Sequence, residues 1–252
     1  MKKLILAVAV SAAFAANVAQ AQEAAAPAPD NQFAFNAAFS SDYRFRGISQ
    51  THGDPAISGG VDYTHNPTGL YAGVWASSIK WIDDAGGDSD IEYDLYGGIR
   101  GEIVKDVSYD VGVLRYFYPG SGLGTNPDTT EIYGSIGYGP VSLKYSHAVT
   151  NAFGFDDSEN SNYIEANATF EIVDGYMLGL HAGHQKIKGD QAVDASYTDW
   201  KVGVTKDFPL VTVTLAVVGT DAERDAYSYV KDNGSTHFNG KTGAVLTLSK
   251  SF

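Results

Sequence analysis

The segment Ile91–Ile103 decides what most of this chain can fold into. Ile91, Tyr93, Leu95, Gly97, Ile99, Gly101 and Ile103 share one parity, while Glu92, Asp94, Tyr96, Gly98, Arg100 and Glu102 share the other. Successive side chains of a strand point to opposite faces, so a strand here has an apolar face and a charged one. A helix would scatter both sets around its circumference. The same alternation sets Val211, Val213, Leu215 and Val217 against Thr212 and Thr214, and Ile164, Ala166, Ala168 and Phe170 against Glu165, Asn167 and Thr169. It recurs where Val141, Leu143 and Tyr145 oppose Ser142, Lys144 and Ser146.

About twelve such segments can be read, an even number within the range of bacterial barrels. They begin near Phe33, Ala56, Gly69, Asp90, Val107, Thr130, Val141, Asn162, Tyr176, Tyr197, Leu210 and Thr242. Short connections (His65–Gly69, Val104–Asp106, Gly139-Pro140, Val173–Gly175, Asp207–Pro209) alternate with long ones. The long ones are Gly47–Pro55, Lys80–Ser89, Pro119–Thr129, Thr150–Ser161, Ile187–Ser196 and Thr220–Lys241. Short periplasmic turns with longer extracellular loops are the mark of an outer-membrane barrel, and a soluble barrel has no need of them. The expected fold is therefore all-β, a transmembrane antiparallel up-and-down barrel of about twelve strands.

The N-terminus agrees. Lys2 and Lys3 precede the apolar stretch Leu4–Ala16, and Ala19-Gln20-Ala21 supplies a cleavage site. This is an export signal too short to span a bilayer. The expected division is a signal peptide at 1–21, a flexible Ala/Pro-rich lead-in at 22–32 and the barrel at 33–252. No later apolar run approaches 18 residues, so membrane insertion must use strands. Without Lys2 and Lys3 the chain carries 15 basic and 30 acidic residues. That balance excludes nucleic acid as a partner, since phosphates need Lys and Arg. The absence of cysteine excludes disulfides, thiolate catalysis and lipid attachment through a cysteine.

Aromatics are expected to form two interfacial girdles. Tyr63, Tyr71, Tyr109, Tyr138, Phe170, Tyr176, Phe208 and Phe252 lie near the turn ends of the strands. Tyr43, Phe45, Trp81, Tyr93, Phe117, Tyr133, Tyr163 and Trp200 lie near the loop ends. The last strand, TGAVLTLSKSF, puts Ala244, Leu246, Leu248, Lys250 and Phe252 on one face. A terminal Phe after alternating apolar residues resembles the signal read by the barrel-assembly machinery, with Lys250 departing from the pattern. Outer-membrane lipid and lipopolysaccharide are the expected surroundings.

Ser40–Ile48 (SSDYRFRGI), with PAISGGVDYTH and GLYAGVWASSIKW after it, resembles the TorF-type porin family (Gcw_chp). The resemblance covers nearly the whole chain after the signal and implies an outer-membrane barrel acting as a porin. It brings no catalytic or binding residues.

Enzymatic and metal chemistry find little support. A barrel phospholipase would place His and Ser two apart on one strand face, and an omptin-like protease would place Asp and His so. No His has Ser at i+2, and no D-x-H occurs. His181 and His184 fall on opposite faces of a strand. The loop Pro119–Gly124 lacks the Lys-Ser/Thr of a phosphate loop. Asp83, Asp84, Asp88 and Asp90 lack the spacing of a calcium loop. No cofactor is implied.

The polar parity is the candidate functional surface. Asp42, Arg44, Arg46, Asp62, Glu92, Asp94, Arg100, Glu102, Asp110, Lys144, Glu165, Glu171, Asp199 and Lys201 share it. In a pore, opposed charges produce a transverse field that sets selectivity. The expected role is passive diffusion of small hydrophilic solutes with a weak preference for cations. The alternative is a plugged barrel acting through its acidic loops.

Overall fold

The computed structural model describes residues 29–189, 192, 194–230, 234 and 236–252. The expected signal peptide and the lead-in up to residue 28 lie outside them. The chain runs β1 (Asn31–Ser40), β2 (Arg44–Phe45), β3 (Ile48–Ser49), β4 (Ala56–His65), β5 (Leu70–Ser78) and the short helix α1 (Trp81–Asp84). There follow β6 (Ile91–Val104), β7 (Val107–Phe117), β8 (Thr129–Tyr138), β9 (Val141–Ala148), β10 (Asn162–Val173) and β11 (Tyr176–Lys186). It ends with β12 (Tyr197–Asp207), β13 (Thr212–Thr220), β14 (Ser228–Val230), β15 (Thr236–Phe238) and β16 (Gly243–Ser251).

Twelve of these strands close a barrel in which every described pairing is antiparallel, and β2–β3 and β14–β15 are separate hairpins. Each barrel strand starts within two residues of the position its alternation predicts. Closure joins β1 to β16, with Ser40 opposite Thr247 and Asn36 opposite Ser251. Phe252 continues the seam: its N–H donates to Phe35 O at 2.9 Å, and Phe35 N–H donates back at 3.2 Å. The terminal residue thus completes the ladder, leaving no strand edge in lipid.

The first strand is the exception. The polar parity of Asp42, Arg44 and Arg46 continues that of β1, so the sequence reads as one long strand. Instead β1 stops at Ser40, opposite Ala56. Arg46 (φ 45°) and Gly47 (φ 82°) are left-handed and fold the chain back as the β2–β3 hairpin. A left-handed pair reverses a strand sharply, and a side chain at the glycine would be strained.

The outer surface is an apolar belt. Val111, Ile132, Leu143, Ile164, Val202 and Leu215 are exposed, while their strand neighbours turn inward. The turn-end girdle forms, because Tyr63, Tyr109, Tyr138, Phe170, Tyr176, Phe208 and Phe252 take the outward parity, but Tyr71 is buried inside. The loop-end girdle is thinner than expected. Tyr93, Phe117 and Trp200 face out, whereas Tyr133 and Tyr163 have inward parity and Tyr43, Phe45 and Trp81 belong to infolded loops. Height along a strand does not decide its facing; parity does.

Two turns show why parity alone does not make a pore residue. Glu102 accepts from Asp106 N–H at 2.9 Å and Glu171 accepts from Gly175 N–H at 3.0 Å, beside register shifts at the ends of β6 and β10. Both glutamates are exposed at the rim, where they tie down turns.

Leu215, 57% exposed in the middle of β13, sits in this belt. Leu215→Arg is expected to lower folding stability in bilayers by about 2–4 kcal/mol. Thr214, turned inward and hydrogen-bonded to Thr205 at 2.9 Å, should tolerate Thr214→Ser. Equal loss from both, read from the folded fraction in urea, would place the faces the other way round.

Candidate functional site, the lumen and its first loop

Residues 41–55 do not stand above the barrel. Asp42, Tyr43, Arg46, Ile48, Ser49, Gln50 and Thr51 are all buried, and the loop lies within the outer half of the lumen. It is braced internally by Asp42, whose carboxylate accepts from Ser49 Oγ at 2.6 Å and Thr51 Oγ1 at 3.3 Å and pairs with Arg44.

The hairpin is latched to the wall on several sides. Arg46 Nη1 and Nη2 donate to the two oxygens of Glu131 on β8 at 2.9 and 2.7 Å, and Nη1 also donates to Gln185 Oε1 on β11 at 2.6 Å. The guanidinium stacks over Tyr163 at 4.2 Å. Tyr43 donates to Glu92 on β6 at 2.7 Å. Arg44 Nη1 donates to the carbonyls of Asn239 and Lys241 at 3.1 and 2.9 Å. At the tip, a Cβ on Gly47 would stand 2.4 Å from Thr220 Cγ2 and 2.7 Å from Asp199 Cβ, so the backbone itself abuts β12 and β13. The loop therefore crosses the mouth. Packed beside it, Tyr43, Ile79, Ile82, Leu114, Tyr116, Tyr118 and Tyr133 form an apolar cluster with Phe45 and Phe153 against it.

Below the loop the charged wall is a hydrogen-bonded web. Tyr163 O–H donates to Asp199 at 2.8 Å, and His181 Nε2 lies 2.8 Å from the same carboxylate, with Nδ1 2.7 Å from Asn167 Oδ1. Asn167 donates to Glu165 at 2.9 Å. Tyr96 donates to Asp62 at 2.6 Å, Tyr71 to Asp110 at 2.5 Å, and Arg100 to Thr64 Oγ1 at 3.0 Å. Lys144 Nζ stands 4.2 Å over the Tyr133 ring. Several of these groups keep partial exposure inside the barrel (Asp62, Tyr96, Arg100, Asn167 and Lys201), so solvent reaches the lumen below the loop.

Inward tyrosines lie over inward glycines of the neighbouring strand. A Cβ on Gly183 would be 2.0 Å from the Tyr163 hydroxyl, and one on Gly112 would be 2.5 Å from that of Tyr133. Gly183→Leu must displace the ring that holds both Asp199 and Arg46. A cost of about 1–3 kcal/mol is expected from such overpacking, measured as a lower urea midpoint. An unchanged midpoint would mean that Tyr163 has another place to go.

Of the residues predicted from parity, Asp62, Glu92, Asp94, Arg100, Asp110, Lys144, Glu165, Asp199 and Lys201 face inward from barrel strands. Asp42, Arg44 and Arg46 reach the lumen by the loop, and Glu102 and Glu171 close turns. Sequence reading missed Glu131 and Gln185, the anchors of Arg46, and the interior role of His181. Their inward parity was the available signal. It also missed the uncharged wall: Ser40, Thr205, Thr214, Ala216, Val218, Val245 and Thr247 make a smooth face on β1, β12, β13 and β16. The lumen is charged and aromatic on one side and small and neutral on the other.

Residues 22–252 match the family described as "Bacterial protein of unknown function (Gcw_chp)". The chain belongs to the Gcw_chp family. No curated protein matches it in sequence. Among solved structures, the KdgM porin superposes on this Gcw_chp chain with a TM-score of 0.55 at 7% identity, covering 87% of this chain and 99% of that one. The KdgM porin in complex with disordered oligogalacturonate gives 0.52 at 7% identity over 87% and 98%. The NanC porin gives 0.50 at 9% identity over 86% and 98%. At these identities the likeness is one of fold: a twelve-strand barrel of outer-membrane type.

Proposed function

We propose that this Gcw_chp protein is an outer-membrane porin for passive diffusion of small hydrophilic solutes, restricted at its mouth by the first loop and weakly preferring cations. The observation that carries the reading is the interior. It is lined by charged and hydroxyl groups from one rim towards the other, and those below the loop keep contact with solvent. Barrels near eight strands fill their lumen with side chains, and those at 16–18 hold water channels. Twelve strands leave room for a narrow path, and the smooth wall of β13, β16 and β1 offers it a side without ion pairs. The barrels it resembles in fold are porins by name, and one of them is in complex with disordered oligogalacturonate. A role in catalysis is not part of the proposal.

The bidentate Arg46–Glu131 pair favours a second reading, in which the loop never moves, the barrel is shut and its acidic outer loops do the work. Planar-bilayer recording on the purified protein separates the two. Small discrete conductance steps are expected for a restricted pore whose width lies between filled and open barrels. A silent bilayer with correctly folded, heat-modifiable protein would favour the shut barrel.

A further inference from the structure

Above the latched hairpin, the outer loops enclose a cavity of about 280 Å3. Each loop contributes: Phe45, Trp81, Tyr118, Phe153, Ile187 and Tyr227 come from the first to the sixth in turn. Aromatic faces dominate, as in small-molecule sites, where a few polar groups set orientation.

Those polar groups are present and unsatisfied. Trp81 Nε1, Ser228 Oγ and Asn239 Oδ1 belong to lining residues and have no hydrogen-bond partner among the described residues. Asn239 is 8% exposed, so its oxygen is withdrawn from bulk water. Buried polar atoms are ordinarily paired, and these three neutral atoms, with the Asp84 Oδ2 that lies against His52 as a fourth without a hydrogen bond, need a common explanation. Of the neutral three, one can only donate, one can only accept and one can do either.

Among the described residues the lining carries a single formal charge, Asp84, and His52 Nε2 already contacts its carboxylate. His52 is itself stacked at 4.0 Å on Tyr229, which fixes the pair at the cavity edge. An organic cation would use the aromatic faces, but would find Asp84 engaged and give Trp81 N–H nothing to donate to. An acidic saccharide would bring a carboxylate against Asp84, beneath the acidic outer loops. A neutral pyranose matches all of it. Its C–H face lies flat on an aromatic ring, and its hydroxyl edge accepts from Trp81 and donates to Asn239. The cavity has room for one or two sugar rings but not for a chain.

We propose that this cavity is a binding site for a neutral saccharide of one or two rings, reached from outside the cell. It holds whether or not the barrel conducts, because the cavity lies outside the latch.

The test uses the full-length folded protein in a detergent without a sugar headgroup. Maltose, glucose and N-acetylglucosamine are titrated by calorimetry, with choline and galacturonate as the cationic and acidic arms. Saturable binding of at least one neutral sugar is expected, tighter than either charged probe. Trp81→Phe keeps the ring and loses the N–H, and Asn239→Ala loses the acceptor. Each should weaken that binding about tenfold, a change of roughly 1.4 kcal/mol. The heat-dependent gel shift reports that both variants are folded. No heat from any neutral sugar, tighter binding of choline or galacturonate, or full affinity in both variants would each overturn the assignment.

Discussion

Arg46→Ala is expected to raise single-channel conductance several-fold. The guanidinium is where the hairpin meets the wall, holding Glu131 with two hydrogen bonds and Gln185 with a third, over the ring of Tyr163. Both partners of the pair are nearly water-free, with side-chain exposures of 5% and 2%. Removing one member of such a pair costs about 3–5 kcal/mol, because the other charge is left buried and alone. The barrel has a cheaper way out than unfolding. Its strand ladder is closed without the loop, so the hairpin can lift, water can reach Glu131, and the mouth opens. The hydrogen bonds that remain, Tyr43 to Glu92, Arg44 to the carbonyls of Asn239 and Lys241, Ser49 N–H to Asn239 O and Lys80 N–H to Gln50 O, tie the loop to β6 and to its neighbouring loops but not to β8 or β11. Glu131→Gln should open the mouth less, since an amide can still accept from Arg46. Conductance at the native level in Arg46→Ala, with folding intact, would mean that this loop does not narrow the path.

The barrel was legible in the sequence because the bilayer imposes a simple rule. With lipid outside and polar groups inside, every strand must alternate, and Ile91–Ile103 or Val211–Val217 can be read almost residue by residue. The alternation of turn and loop lengths gave orientation for the same reason. The loop that fills the mouth was not legible. Asp42, Arg44 and Arg46 keep the spacing of a strand, and only the left-handed Arg46-Gly47 pair breaks it. A non-glycine residue adopting positive φ leaves little trace in sequence, and the contacts that hold Arg46 there come from strands 85 and 139 residues away. The saccharide cavity was hidden more deeply, since its lining is drawn from all the outer loops and has no spacing to read. Glu102 and Glu171 show the reverse case: correct parity, but a local turn took the side chain first.

Converting Asp94→Asn, Glu165→Gln and Asp199→Asn together is expected to turn the proposed weak cation preference into anion preference. The arginines do not set the native sign at the narrowing, because Arg46 is matched by Glu131 and Arg44 by Asp42. Arg100 lies nearer the periplasmic end, over Tyr71 and bonded to Thr64. What remains around the loop is Glu92, Asp94, Glu165 and Asp199 against Lys144 and Lys201, a surplus of negative charge on one wall. Fixed charge in a confined, low-dielectric passage concentrates the opposite ion. The three amides preserve shape, so Tyr163 can still donate to position 199 and the loop stays latched. They remove three negative charges from the wall and leave Lys144 and Lys201 in place, with Asp110 still beside Lys144. Reversal potentials under a salt gradient should then change sign, by a margin that shrinks as salt rises and the charges are screened over about 10 Å at 0.1 M. If native channels already prefer anions and Arg100→Ala abolishes that preference, the selectivity belongs to the periplasmic half of the lumen and not to the wall beneath the loop.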